Sequence, residues 1–207
     1  EMISIDKSLA RAAARKSLVE WVAVGAELEV ALDRLISQAK AECRKGRPPS
    51  KVVNKAINHL TRILGESGLP SEIRDVGGRR HEATLCLPQS VEDKVSFVLL
   101  SCSFNGRTGA VDLSRQRVLF ASQHAIERLH QRLGTLDSQV VLREVRSCLA
   151  AAVVMVEAAR GCDAKHWPLV TTNGLFVCAP YEGLKEPILV TWMRLDEIGK
   201  KWGKVVD

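Results

Sequence analysis

The stretch FASQHAIERLHQRLG, residues 120–134, begins as the end of a strand and turns into a helix. Ser122 stands where an N-cap is wanted, and the next eleven residues carry the helix. Steps of four place His124, Arg128 and Arg132 on one side of it. At about 100° per residue these three fall within roughly 80° of one another. Ile126, Leu129 and Leu133 gather on a neighbouring apolar face, with His130 on its far flank as a packing or rim residue. This helix thus has one face for a core and an adjacent one for polar groups; with the chain running as helices, then β-runs, two helices and a β-meander, an α+β fold is expected.

Working outward, a second helix is predicted over 138–160, with Asp137 as its N-cap and Gly161 as its stop. Its run CLAAAVVMVEAA is nearly all apolar, so burial is expected. Upstream, ATLCL, VSFVLLSCSF, GAVDL and RVLFAS are β-type runs separated by turn signals such as NGRTG. Downstream, PLVTT, LFVCA and PILVTWM return to strands, and Asn173-Gly174 between the first two is a strong hairpin signal.

The N-terminal third reads as helical. Ala14, Leu18, Trp21, Gly25, Leu28, Leu32, Leu35 and Ala39 recur at alternating steps of four and three, a heptad-like seam. RKGRPPS interrupts it, with Pro48-Pro49 as breakers and Ser50 placed to cap the next helix. That helix repeats the spacing with Val53, Ile57, Leu60 and Leu64 and is expected to end near Gly65. The predicted organisation is therefore a helical hairpin over 1–65, a linker over 66–81 rich in Gly, Pro and charge, and an α+β domain over 82–207. The last has a mainly antiparallel sheet and two helices.

Composition narrows the classes. The 207 residues are 46 % hydrophobic, the usual globular share, with no apolar run long enough for a membrane span and no secretory signal. Glu1 ahead of Met2 reads as a remnant before the natural start. Thirty Lys and Arg against 24 Asp and Glu give a net charge of +6, which permits an anionic partner. Like-sign clusters occur in CRKGR (43–47), GGRR (77–80) and around Arg128 and Arg132. The six cysteines are spread out with no C-x-x-C and no zinc spacing, as in reduced cytoplasmic proteins. No metal site and no cofactor motif is visible: P-loop, G-x-G-x-x-G, H-E-x-x-H and G-x-S-x-G are all missing from the sequence.

The chemistry concentrates on the opening helix. His124 in the first turn meets the positive end of the macrodipole, which favours a neutral imidazole able to accept a proton. Arg128 and Arg132 offer planar donors matched to phosphate. A base beside two guanidiniums is equipment for cleaving RNA without metal: the 2′-hydroxyl is deprotonated, attacks phosphorus, and the arginines hold the charge that builds. Thr171, Thr172 and Thr191 supply hydroxyls from the β-runs. Trp192 or Tyr181 could stack a base, although alternation sends Thr191 and Trp192 to opposite faces.

SQHAIERLHQRLGTLDSQVVLREV resembles the S-x-H-A-x-x-R-x-x-x-R helix, followed by a second helix, of small bacterial proteins in the DUF4258 group. These stand with RelE-like and contact-dependent toxins in the barnase–EndoU–colicin–RelE ribonuclease superfamily. PLVTTNGLFVCAPYEGLKEPILVTWM is similar to the meander that completes that small fold, so the likeness runs over about 117–195. It implies metal-independent cleavage of RNA such as tRNA or mRNA by a toxin or effector. His124 would then be the base, Arg128 and Arg132 the phosphate ligands, and Thr191 a contact from the sheet. The N-terminal helices have no counterpart in that pattern. Two other readings stay open. One is a non-catalytic, regulatory nucleic-acid binder using the same face. The other is a protein-interaction module in which Trp21, Leu28 and Leu35 bury against a protein partner or a second copy.

Overall fold

Asp6 opens the chain's first helix: its carboxylate accepts from the Ser8 N–H at 2.7 Å, a side-chain cap on α1 (Lys7–Arg44). The computed structural model describes residues 5–69, 71–91, 94–159, 165–180, 186–195 and 197. After α1 come α2 (Pro49–Ser67), β1 (Ser71–Gly77), β2 (Arg80–Val91), β3 (Lys94–Asn105) and β4 (Val111–Ala121). Then follow α3 (Gln123–Leu133), α4 (Ser138–Ala159), β5 (Trp167–Val170), β6 (Gly174–Pro180) and β7 (Pro187–Arg194). The fold is α+β. Its mixed, mostly antiparallel seven-stranded sheet has the order β1-β2-β3-β4-β7-β6-β5. No described helix is long and apolar enough to cross a membrane.

The chain forms two compact units, one of Glu1–Trp21, Ser90–Phe97 and Arg117–Asp207, the other of Val22–Gln89 and Val98–Gln116. Their bounds differ from the expected division at 66–81, because α1, β2, β3 and β4 each contribute residues to both.

In the unit built on Val22–Gln89, the seam of α1 packs inward: Gly25, Leu28, Leu32, Leu35 and Ala39 are buried, as are Val53, Leu60 and Leu64 of α2. Glu42 ties the two helices at their loop, pairing with Arg47 at 3.2 Å and Lys55 at 3.3 Å. Ser50 does not cap α2. Pro48 is the N-cap and Pro49 the first helical residue, since proline's missing N–H costs nothing there and its φ is already helical. The helix also runs past Gly65, ending where Gly68 takes a left-handed φ of 65°.

The expected linker is a hairpin. β1 pairs antiparallel with β2, Gly77 facing Arg80 across Gly78 and Arg79. Both turn residues have positive φ, 60° and 65°, the backbone that a two-residue turn between twisted strands requires. GAVDL and RVLFAS likewise merge into the single strand β4.

In the other unit, Trp21 of α1 is buried against Phe97, ring centroids 6.3 Å apart. Asp137 caps α4 through the Gln139 N–H at 2.8 Å, as its position predicts. Gly161 lies outside the described residues. α4 is only half buried: Val141, Val145, Cys148 and Ala152 face inward while Ala151 and Val154 are exposed. Its apolar run therefore does not mark a fully enclosed helix. The β5–β6 hairpin forms, but its turn is Thr172-Asn173, one residue before the expected Asn173-Gly174: the Thr171 N–H donates to the Gly174 carbonyl at 2.9 Å, and Gly174 already begins β6. α4 clamps that turn: the buried Glu144 carboxylate accepts from the Asn173 N–H at 3.3 Å and from its side-chain amide. Among the described residues the cysteines form no disulfide; Cys86, Cys102, Cys148 and Cys178 are buried, and Cys162 lies outside them.

Trp21, Leu28 and Leu35, expected as a partner surface, are 2 %, 3 % and 7 % exposed. These three side chains are buried within this chain's own core.

Candidate functional site

Ser122 does two things at once. Its hydroxyl accepts from the Ala125 N–H at 3.1 Å, capping α3, and donates to the Leu189 carbonyl at 2.8 Å. β4 pairs with β7 only at Phe120–Ile188 and Ala121–Leu189. Where that parallel pairing stops, α3 takes over the same strand, because buried backbone carbonyls need a donor. At the far end of the helix the Arg132 guanidinium donates to the Trp192 carbonyl. Arg132 also pairs with Glu197 at 3.5 Å, and its side chain is 19 % exposed. Burial and the nearby Arg128 charge lower its pKa, while Glu197 opposes them.

The candidate set is thus divided by the fold. His124 is exposed in the first turn of α3, with no hydrogen bond or ion pair to any described residue. Arg128, one turn on, is half-buried and donates to the Gln131 side-chain oxygen at 3.1 Å, with no acidic partner among the described residues. Arg132 occupies the same side of the helix but is anchored on β7 and Glu197. Thr191 is half-buried and opposite Val177 in β6. Alternation puts it with Leu175, Val177 and Met193, on the face opposite the one that carries Phe176, Cys178 and Trp192. No hydrogen bond or ion pair joins it to His124, Arg128 or Arg132. The structure brings the three helix residues along one edge and leaves Thr191 unlinked to them.

The remaining polar candidates are structural. Trp192 is fully buried, and its indole N–H donates to Thr171 Oγ1 at 3.2 Å, so it has no face to offer a base. Thr171 Oγ1 accepts as well from the Gly174 N–H at 3.1 Å, which holds the hairpin turn. Thr172 is exposed. Tyr181 lies outside the described residues.

His130 is 0 % exposed, inside the core rather than at a rim. Its Nδ1–H donates to the Thr135 carbonyl at 2.7 Å, which leaves Nε2 to accept from the Ser17 hydroxyl at 3.1 Å. Burial lowers its pKa from the ordinary 6.5, against smaller opposing effects of Thr135 and Asp137. This pair has the atoms of a nucleophile and its base, but Ser17 is itself 1 % exposed, so no substrate reaches it. It joins α1 to α3. One helical turn away, Glu127 is also buried and meets Arg11 of α1 at 3.4 Å.

Sequence reasoning missed the two partners that anchor Arg132. Neither the β7 carbonyl nor Glu197 is visible from helical spacing, because both come from a segment some 60 residues away in the chain. Compared with protein-family models, with curated proteins and with solved structures, the chain matches none.

Proposed function

We propose that this chain is an RNA-binding protein that meets the phosphate backbone with the outer edge of α3, through Arg128 and His124. The observation that carries this reading is the state of Arg128: half-exposed, its guanidinium has no acid beside it among the described residues, and the exposed His124 stands one turn before it. Guanidinium donors suit phosphate, and a cation without a local counter-charge is available to one. With Arg132 anchored on Trp192 and Glu197, the edge retains one guanidinium for phosphate, which favours binding over the two-arginine cleavage set.

The test is fluorescence anisotropy of a labelled single-stranded RNA over a salt series. Affinity falls with salt, and Arg128→Ala flattens the slope by about 0.7, the share of one phosphate on a single strand. An unaltered slope in Arg128→Ala removes α3 as the binding edge.

A second reading, metal-independent cleavage as in a toxin or effector, is favoured by one feature, the open imidazole of His124 at the amino end of α3. It predicts RNA cut in EDTA to 2′,3′-cyclic phosphate ends, with loss of cutting in His124→Ala. RNA left intact by the folded protein rules it out.

A further inference from the structure

The other compact unit carries a stronger concentration of positive charge than α3. Three of its connections meet. The Gly106 N–H, between β3 and β4, donates to the Arg79 carbonyl in the β1–β2 turn at 2.7 Å. A Cβ on Gly106 would lie 3.7 Å from the Ser50 backbone in the first turn of α2. A Cβ on Gly109 would strike Cys43 and touch Pro49, so the β3–β4 turn also lies against the α1–α2 loop. A hollow of about 420 Å³ opens here, lined by Ser50, Asn54, Gly78, Arg79, His81 and Gly106 with Asp75.

The stretches 44–51, 78–81 and 105–110 contain seven Lys and Arg and no Asp or Glu. Taking those seven from the chain's 30 basic residues leaves 23 against 24 acidic ones, so the protein's net positive charge resides in these loops. Arg47 is paired with Glu42. The other six, Arg44, Lys45, Lys51, Arg79, Arg80 and Arg107, are exposed and have no ion pair with any described residue. Asp75 is partly occupied in its own turn, accepting from the Gly77 N–H at 2.9 Å. Like charges gathered this way repel one another, a cost that an anionic partner removes.

Arg79 adds a second observation. Among the described residues it is the one non-glycine with positive φ, at 65°. Glycine or asparagine fits that backbone with less strain. Its flanks already include Gly77 and Gly78, so a third glycine would have served the turn alone. A long cationic side chain is instead held there, at the rim of the hollow.

We propose that this loop end is a binding surface for the phosphodiester backbone of a nucleic acid, gripped by Arg44, Lys45 and Lys51 from one connection and Arg79, Arg80 and Arg107 from two others. Cations spread over three loops match a repeating row of phosphates better than a single small anion. The described loop residues include no large apolar side chain that could enter a bilayer. The proposal is independent of α3, which belongs to the other compact unit.

The experiment measures anisotropy of fluorescein-labelled single-stranded RNA, DNA of the same sequence and the RNA duplex on the full chain, across a salt series. The double variants Lys45→Gln/Lys51→Gln and Arg79→Gln/Arg80→Gln, and the single Arg107→Gln, should each weaken binding. For every phosphate that is no longer held, the salt slope should flatten by about 0.7 on a single strand and about 0.9 on a duplex. Arg143→Gln and Arg146→Gln, exposed on α4, should change neither. Circular dichroism melts should stay put in every variant, since the replaced side chains are exposed and unpaired. Whichever oligomer binds most tightly identifies the source of the phosphates. Loop variants that bind like the unaltered protein overturn the proposal. Loss of binding in Arg128→Ala alone does the same and leaves the α3 reading standing. Loop variants that weaken binding while Arg128→Ala does not support this surface and count against α3. Tighter binding to phosphatidylserine vesicles than to every oligomer, abolished in the same variants, also overturns it.

Discussion

Arg132 donates to the backbone carbonyl of Trp192, so a residue with the spacing of a phosphate ligand is part of the scaffold. With Ser122 on the Leu189 carbonyl, it lets α3 satisfy a strand edge that β4 has left. Arg132→Ala removes a charged donor from a mostly buried carbonyl and should cost about 1.5–3 kcal/mol of stability. Arg128→Ala, with only Gln131 to lose, should stay within about 0.5 kcal/mol. Urea unfolding of both variants decides the matter. Equal losses, or a larger one for Arg128, would show that Arg132 is free for a ligand after all.

The Ser17–His130 hydrogen bond links α1 to α3 and carries a pH dependence. The folded pKa of His130 lies below 6.5, so the unfolded chain takes up this proton first as pH falls. The stability it supports is therefore present above about pH 6.5 and is lost as pH drops toward the folded pKa. The urea midpoint should decline between pH 7 and the onset of carboxylate titration. Ser17→Ala should lower stability by about 1–3 kcal/mol, and the midpoint with it, because Nε2 is left buried without a donor. His130→Gln should flatten the decline. A midpoint that is level across this range in the unaltered protein contradicts the assignment.

What the sequence disclosed follows the range of the interaction. The seam of α1 and the caps at Ser122 and Asp137 are local patterns, and each is where its residues predict; the β5–β6 hairpin forms too, with its turn one residue before the expected Asn173-Gly174. The hairpin at Gly78-Arg79 was hidden because glycine and charge together read as a linker, although two positive-φ residues between strands are also a turn. Among the site residues, helical spacing correctly places His124, Arg128 and Arg132 along one edge. It does not reveal that β7 and Glu197 claim one of them, or that Thr191 shares a sheet face with Leu175 and Met193. The convergence of three basic loops was equally out of reach: the clusters at 43–47 and 77–80 are legible one by one, but only the Gly106–Arg79 hydrogen bond and the Gly109–Cys43 approach join them.

Gly25 is a close-approach glycine. A Cβ there would be driven onto the Pro88 carbonyl and ring of β2, in the middle of the α1 seam. Gly25→Ala should destabilise the protein by about 1–3 kcal/mol, against the helix-propensity gain of under about 1 kcal/mol that alanine brings. Gly65→Ala supplies the contrast, since it lies within α2 with open space around it and should be neutral or slightly stabilising. Thermal melts of the pair separate packing from propensity. Were Gly25→Ala to melt no lower than the unaltered protein, the helix and strand would have to be further apart than this packing requires.

Glu144 is a buried carboxylate whose partners among the described residues are the Asn173 N–H and side-chain amide, hydrogen-bond donors rather than a cation. Hydrogen bonds to a charged acceptor are the stronger kind, and removing one partner leaves the other desolvated and unpaired. Glu144→Ala should therefore cost about 1.5–3 kcal/mol and speed hydrogen exchange at Asn173 and Gly174. Asn173→Ala should cost less, because the backbone N–H still reaches the carboxylate. If the clamp acts as one device, the double variant loses less than the sum of the singles, with a coupling of at least about 0.5 kcal/mol. Strictly additive losses would mean that α4 and the β5–β6 turn are stabilised independently. The turn would then depend on Thr171, whose side chain accepts from both Gly174 and Trp192, and on the Thr172 N–H, which donates to the Ser147 hydroxyl of α4 at 3.2 Å.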